Sequence, residues 1–163
     1  TLREFVNRIR RGGFRILEAI HLIQILIKIV KDIHSKGVLH QNLAPENIFI
    51  DWDDKTTSAE QATFTLTDFS QAHIAEKNYR IKESTDTYWY QAPQFQDEIL
   101  KYSSTIDASG LCALLLWLLT NVDPKHDENF LPHQNEDIMT KLNNKIASAV
   151  RESSKSMEFR CRK

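Results

Sequence analysis

The densest run of chemically versatile side chains in this 163-residue sequence is His34-Ser-Lys-Gly-Val-Leu-His40-Gln41-Asn42-Leu43-Ala44-Pro45-Glu46-Asn47. A second, shorter run is Leu66-Thr67-Asp68-Phe69-Ser70, and a third is Thr87-Tyr-Trp-Tyr90-Gln-Ala92-Pro93-Gln94. Asn47 is of a type that satisfies a loop backbone, and Asp68 of a type that caps a turn. Asn42 carries a neutral amide, which hydrogen-bonds but cannot take up a proton at a useful pKa. Other chemistries lack their residues. Cys112 and Cys161 form neither a disulfide framework nor a zinc spacing, and the six histidines show no metal-ligand spacing.

In this order the segments resemble the protein kinase domain. The first is similar to the H-R-D-L-K-P-E-N catalytic loop and the strand that follows it, and Asp68-Phe69-Ser70 resembles the D-F-G magnesium motif. The run ending Ala92-Pro93-Gln94 resembles the A-P-E close of an activation segment. Asp107 opens an apolar stretch as in the family's D-x-W-S-x-G element, and Glu158-Phe-Arg160 sits where the family carries a late arginine. The resemblance extends over about residues 1–160.

The departures concern the chemistry itself. The family's proton acceptor is the Asp of H-R-D, and here that position is Asn42. The lysine that offsets charge on the transferring phosphate is Ala44, and the arginine that receives an activation-loop phosphate is Gln41. The glycine of D-F-G is Ser70, and the glutamate of A-P-E is Gln94. Asn47 and Asp68 survive, the pair that the resemblance assigns to magnesium and nucleotide. His40 is expected to pack under the Phe69 turn, Thr87 to hydrogen-bond position 42, and Gln94 to neighbour Arg160. The resemblance therefore implies a pseudokinase with no intact catalytic residue, acting as a binding or regulatory module for a protein partner or an adjacent domain. The rival reading is a weak or atypical phosphotransferase whose N-lobe is supplied upstream. No cofactor is expected of this chain alone, and magnesium and ATP only together with an N-lobe.

The elements that must hold these residues are legible from periodicity. Residues 14–33 read as a helix, with Ile16, Leu17, Ile20, Ile23, Ile27 and Val30 at three-and-four spacing. Leu22, Ile25, Leu26, Ile29 and Ile33 widen that face almost all round, so the helix is expected deep in a core. Gly37 suits its left-handed C-cap. Residues 1–10 read as a shorter amphipathic helix, residues 106–120 as a second buried helix, and residues 137–154 as a weaker amphipathic one. Residues 47–50 and 63–67 are rich in β-branched and aromatic types and read as a hairpin, with a polar loop at 51–61. Residues 70–91 have no sustained period and read as a long loop. The expected fold is mainly α: a kinase-like C-lobe spanning residues 1–163, a helical bundle with a small β-hairpin and a long activation-segment-like loop, and no N-lobe.

Composition bounds the rest. Hydrophobic residues are 41%, charged residues 26%, and Gly and Pro number four each, which describes an ordinary single globular domain. A net charge of -1 gives no steering toward nucleic acid. The basic cluster Arg8, Arg10, Arg11 and Arg15 reads as a solvated helix end. The longest apolar run, residues 111–119, is about half of a membrane span. A soluble, cytoplasmic protein is expected.

Overall fold

The computed structural model describes residues 1–52, 61–74, 105–123 and 135–161, with side chains from Ile106 in the third helix and as far as Ser153 in the last. Helix α1 (Leu2–Ile9) starts with a reciprocal cap. Thr1 Oγ1 accepts from the Glu4 N–H at 3.3 Å, and the Glu4 carboxylate accepts from the Thr1 amine at 2.8 Å. Its apolar side, Leu2, Phe5 and Val6, is buried.

Helix α2 (Ile16–Ser35) begins two residues later than periodicity suggests. Phe14 is fully buried but is not helical, because its N–H donates to the Leu118 carbonyl at 2.7 Å. Gly13 beside it holds φ +75°, and a Cβ there would meet the Leu119 carbonyl oxygen at 2.3 Å. Only glycine suits that position. At the other end Gly37, at φ +73°, donates its N–H to the His34 carbonyl at 2.9 Å and ends the helix.

The expectation that α2 is buried almost all round is not met. Ala19, Leu22, Ile23, Leu26 and Val30 face the core, whereas Leu17 is 70% exposed and Ile20 and Ile27 lie at the surface. A helix that is apolar on every side leaves its sequence unable to choose a face, and the packing of α3 (Thr105–Thr120) on one side decides it.

Two small antiparallel ladders carry the loop residues. In the hairpin, β2 (Ile48–Asp51) pairs with β3 (Thr63–Leu66), with Ile48 opposite Leu66 and Asp51 opposite Thr63. The other ladder joins β1 (Val38–Leu39) to β4 (His73–Ile74). It corrects the reading of residues 70–91 as loop from their start: 73–74 are a strand, and residues 75–91 lie outside the described residues.

Helix α4 (Glu136–Cys161) is longer at both ends than residues 137–154. It is held to the α1–α2 junction by Lys145, whose ammonium donates to the carbonyls of Gly13 at 2.9 Å and Phe14 at 2.6 Å. Burial of that ammonium pushes its pKa down. The core joins α1, α2, α3 and the hairpin. Phe5, Phe14 and Trp52 stack with centroids 5.7 to 6.4 Å apart, and Leu22, Leu26, Leu114, Trp117 and Leu118 close it. The architecture is mainly α, with a small β-hairpin. Among the described residues no helix is long and apolar enough to cross a membrane.

Candidate functional site

The loop between β1 and β2 is built around a carboxylate from α3. Asp107 is 1% exposed. Its Oδ2 accepts from the His40 N–H at 2.8 Å and from His34 Nε2 at 2.7 Å, and its Oδ1 accepts from the Gln41 N–H at 2.7 Å. A buried charge needs such donors, and two backbone groups here need an acceptor. The arrangement also holds Gln41 at φ +62°, a left-handed conformation that costs a side-chain-bearing residue about 1 kcal/mol. Gln41 itself is buried, and its Nε2 has no hydrogen-bond partner among the described residues. A glutamine at this position thus neither reaches outward nor carries a cation.

His40 is fully buried, with its ring centroid 4.6 Å from that of Phe69 and the planes tilted by 59°. Its Nδ1 accepts from the Asn42 N–H at 3.2 Å, so the proton sits on Nε2, which donates to the Thr67 carbonyl at 3.1 Å. This is the neutral tautomer. Burial lowers the His40 pKa, and the nearby Asp107 charge only partly opposes that.

The next residues turn the chain into β2. Ala44 N–H donates to the Asn42 carbonyl at 3.0 Å, and Asn47 N–H to the Ala44 carbonyl at 3.0 Å, closing one 3-10 turn over Pro45–Asn47. Glu46 leaves this turn to pair with Arg3 of α1, which also meets Asp123 at 2.6 Å. Asn47 Nδ2 donates to the Asn42 carbonyl at 3.1 Å, a satisfied loop-backbone role. Across the hairpin mouth, Thr67 donates its N–H at 2.9 Å and its hydroxyl at 3.1 Å to the Asn47 carbonyl. Asn42, Asn47 and Asp68 are thereby brought together.

Asp68 sits there at φ +57°, exposed. Its Oδ1 accepts from Ser70 Oγ at 2.6 Å and from the Ser70 N–H at 3.3 Å, and its Oδ2 accepts from Asn42 Nδ2 at 2.9 Å. The Ser70 hydroxyl is the main reason that the carboxyl pKa lies below its ordinary value. The magnesium pair that the resemblance assigns meets a divided answer. Asn47 is turned so that its amide oxygen makes no hydrogen bond among the described residues. Asp68, the charged member, already accepts on both oxygens. Magnesium needs close to six oxygens in a strict octahedron. Among the described residues there is no group of three or more carboxylate, imidazole or thiol side chains fit to hold a metal. A magnesium here would draw one carboxylate from Asp68 and one amide oxygen from Asn47, with water or phosphate oxygens to complete its shell.

Asn42 donates where a general base would accept, and Ala44 is buried and apolar. Thr87 and Gln94 lie outside the described residues, and Arg160 lies in α4 beyond the described side chains. The Asp107 contact of His34 and the grip of Ser70 on Asp68 are not read from the sequence. For His34 a signal exists: it falls four residues after buried Val30, on the core face of α2, where a polar side chain must find a partner.

A family model described as the protein kinase domain matches residues 1–161. The chain is 34% identical over 99 residues to "Mitogen-activated protein kinase 4" of Rattus norvegicus, an alignment covering 58% of this chain and 34% of that protein. It is 30% identical over 122 residues to "Calcium-dependent protein kinase 11" of Arabidopsis thaliana, covering 74% of this chain and 23% of that protein. The solved structure "Crystal structure of Rad53 kinase domain and SCD2 in complex with AMPPNP" superposes with a TM-score of 0.53 at 26% identity, over 77% of this chain and 41% of that one. The chain thus spans well under half the length of these relatives.

Proposed function

Because this chain belongs to the protein kinase domain family, we propose that it is a pseudokinase-type C-terminal lobe, catalytically inactive and serving as a binding or regulatory module. The observation that carries the reading is the direction of one hydrogen bond. Asn42 stands at the position of the family's proton acceptor and spends its Nδ2 as a donor to Asp68 at 2.9 Å. An amide cannot take the proton of a substrate hydroxyl, and loss of general-base catalysis alone costs about 10²–10⁴-fold. Ala44 adds to this, since no cation stands there to offset charge on a transferring phosphate, usually the larger effect. A protein partner or an adjacent domain suits the surface around the loop. Phe49 and Ile74, on the strands that flank it, are each 51% exposed, and Phe69 is half-exposed beside them in sequence.

The test is incubation with labelled ATP, magnesium and generic protein substrates, with the chain alone and within whatever longer protein carries it. No phosphoprotein above background is expected. Incorporation that survives repurification and disappears in Asp68→Ala would overturn the reading.

A further inference from the structure

Two of the positions that depart from the kinase pattern, Asn42 and Ser70, converge on one retained carboxylate. We infer that the Asn42 amide and the Ser70 hydroxyl together take the place of a divalent cation at Asp68, forming a cation-independent latch that fixes the turn after β3. The inference rests on the pseudokinase reading and extends it from what the loop has lost to what it has put there instead.

The geometry is specific to the two replacements. A glycine at position 70 would leave the backbone N–H contact of 3.3 Å but not the hydroxyl contact of 2.6 Å. An aspartate at position 42 would set a second carboxylate where an amide now donates to Asp68 at 2.9 Å. Two carboxylates at that separation repel, and a divalent cation on Asp68 would lessen the repulsion. One carboxylate with a donor on each oxygen needs none. The latch also explains how an aspartate held at φ +57° keeps its place: both oxygens are tied, one to the turn that follows and one to the loop across the hairpin mouth. The remaining supports are in register. Thr67, immediately before Asp68, is fixed to Asn47 by N–H and hydroxyl, and its carbonyl accepts from His40 Nε2.

Thermal unfolding of the intact chain in MgCl2, MnCl2 or CaCl2, against NaCl of equal ionic strength, tests the latch without reference to activity. The wild type should shift by less than about 1 °C at about 10 mM cation. The double variant Asn42→Asp/Ser70→Gly should melt lower in NaCl and gain about 3 °C or more from about 10 mM MgCl2, as expected for a millimolar site on a domain of this size. Stabilisation of the wild type by any of the three cations beyond NaCl, on that same scale, overturns the latch. So does a folded double variant that remains indifferent to cations. Should the double variant not fold, Ser70→Ala, which removes only the hydroxyl, replaces it. Its Asn42 side-chain amide resonances should move and exchange faster than in wild type, and unchanged resonances would sink the proposal. Phosphate transfer is read separately, so catalysis without cation stabilisation would remove the pseudokinase reading and leave the latch. Cation stabilisation without catalysis would do the reverse.

Discussion

Two aspartates in this lobe each accept three hydrogen bonds, and they do opposite kinds of work. Asp107 gathers donors from His34, His40 and Gln41, far away in sequence, inside the core. Asp68 gathers donors from Ser70, two residues on, and from Asn42 across the hairpin mouth, in the open. The first ties α3 to the loop and is independent of what reaction the loop performs. The second stands where the resemblance places metal and nucleotide, beside Asn42 and Ser70, two departures from the kinase pattern. On the proposed reading, the difference teaches that a fold can keep its scaffold carboxylate while the neighbouring one serves as a structural latch. Depth decides which of the two the fold depends on, because a donor left behind in the core has no water to turn to.

The largest expected effect tests that claim at Asp107. Asp107→Ala leaves the N–H groups of His40 and Gln41 buried without an acceptor, and Gln41 loses the bond that helps hold its left-handed backbone. Each orphaned buried donor costs about 1–3 kcal/mol, so a loss of about 4 kcal/mol is expected. Urea unfolding measures it. A loss below about 1 kcal/mol would mean that the hub is not what holds the loop, and the contrast between the two aspartates would fall.

A smaller effect sharpens the comparison through pH. His40 sits between the two carboxylates, with Asp107 on its backbone N–H and Phe69 on its ring. Its neutral tautomer is required by two bonds, and burial keeps its folded pKa below the ordinary histidine value. The unfolded chain therefore binds the proton first as pH falls through about 6.5, and stability is lost from there downward until the folded pKa is passed. Urea midpoints between about pH 7.5 and pH 5.5 should fall in wild type and fall less in His40→Gln. The variant serves as the reference because groups other than His40 also respond to acid. Equal slopes in the two proteins would show that His40 is not held neutral.

What could be read without the structure follows the same division. Helices α1, α2 and α3 were legible because their apolar spacing is long and regular, and the loop was legible through its resemblance. The buried face of α2 was not, since residues such as Leu17 and Ile27 are as apolar as Leu22 and Leu26 and only the approach of α3 separates them. The β1–β4 ladder was not, since two-residue strands have no period to detect. At the site, the sequence pointed to Asn42, Asn47 and Asp68 but could not foresee that Asn42 would point its amide at Asp68. That bond joins residues 26 apart, and only the closure of the hairpin brings them together.

The smallest expected effect lies at Ser70, and it is the one that separates the aspartates most cleanly. Ser70→Ala removes the shortest of the Asp68 bonds, 2.6 Å, and leaves the backbone donor and Asn42 in place. In the core such a loss would strand a carboxylate oxygen. At the surface water replaces the hydroxyl, and exposed charge-assisted contacts contribute little net stability. Asp68 has its pKa lowered chiefly by Ser70, so what the contact contributes is present at neutral pH and is lost as pH falls through the folded pKa. The variant should therefore cost less than about 0.5 kcal/mol at pH 7. It should also cost nothing once Asp68 is protonated in both proteins. Urea midpoints at neutral and strongly acidic pH measure both halves of the statement. A neutral-pH loss comparable to that of Asp107→Ala would show that the Asp68 turn is a second hub of the fold, with its depth understated by its exposure. A loss that persists unchanged into acid would show that the serine acts through its own packing rather than through the carboxylate.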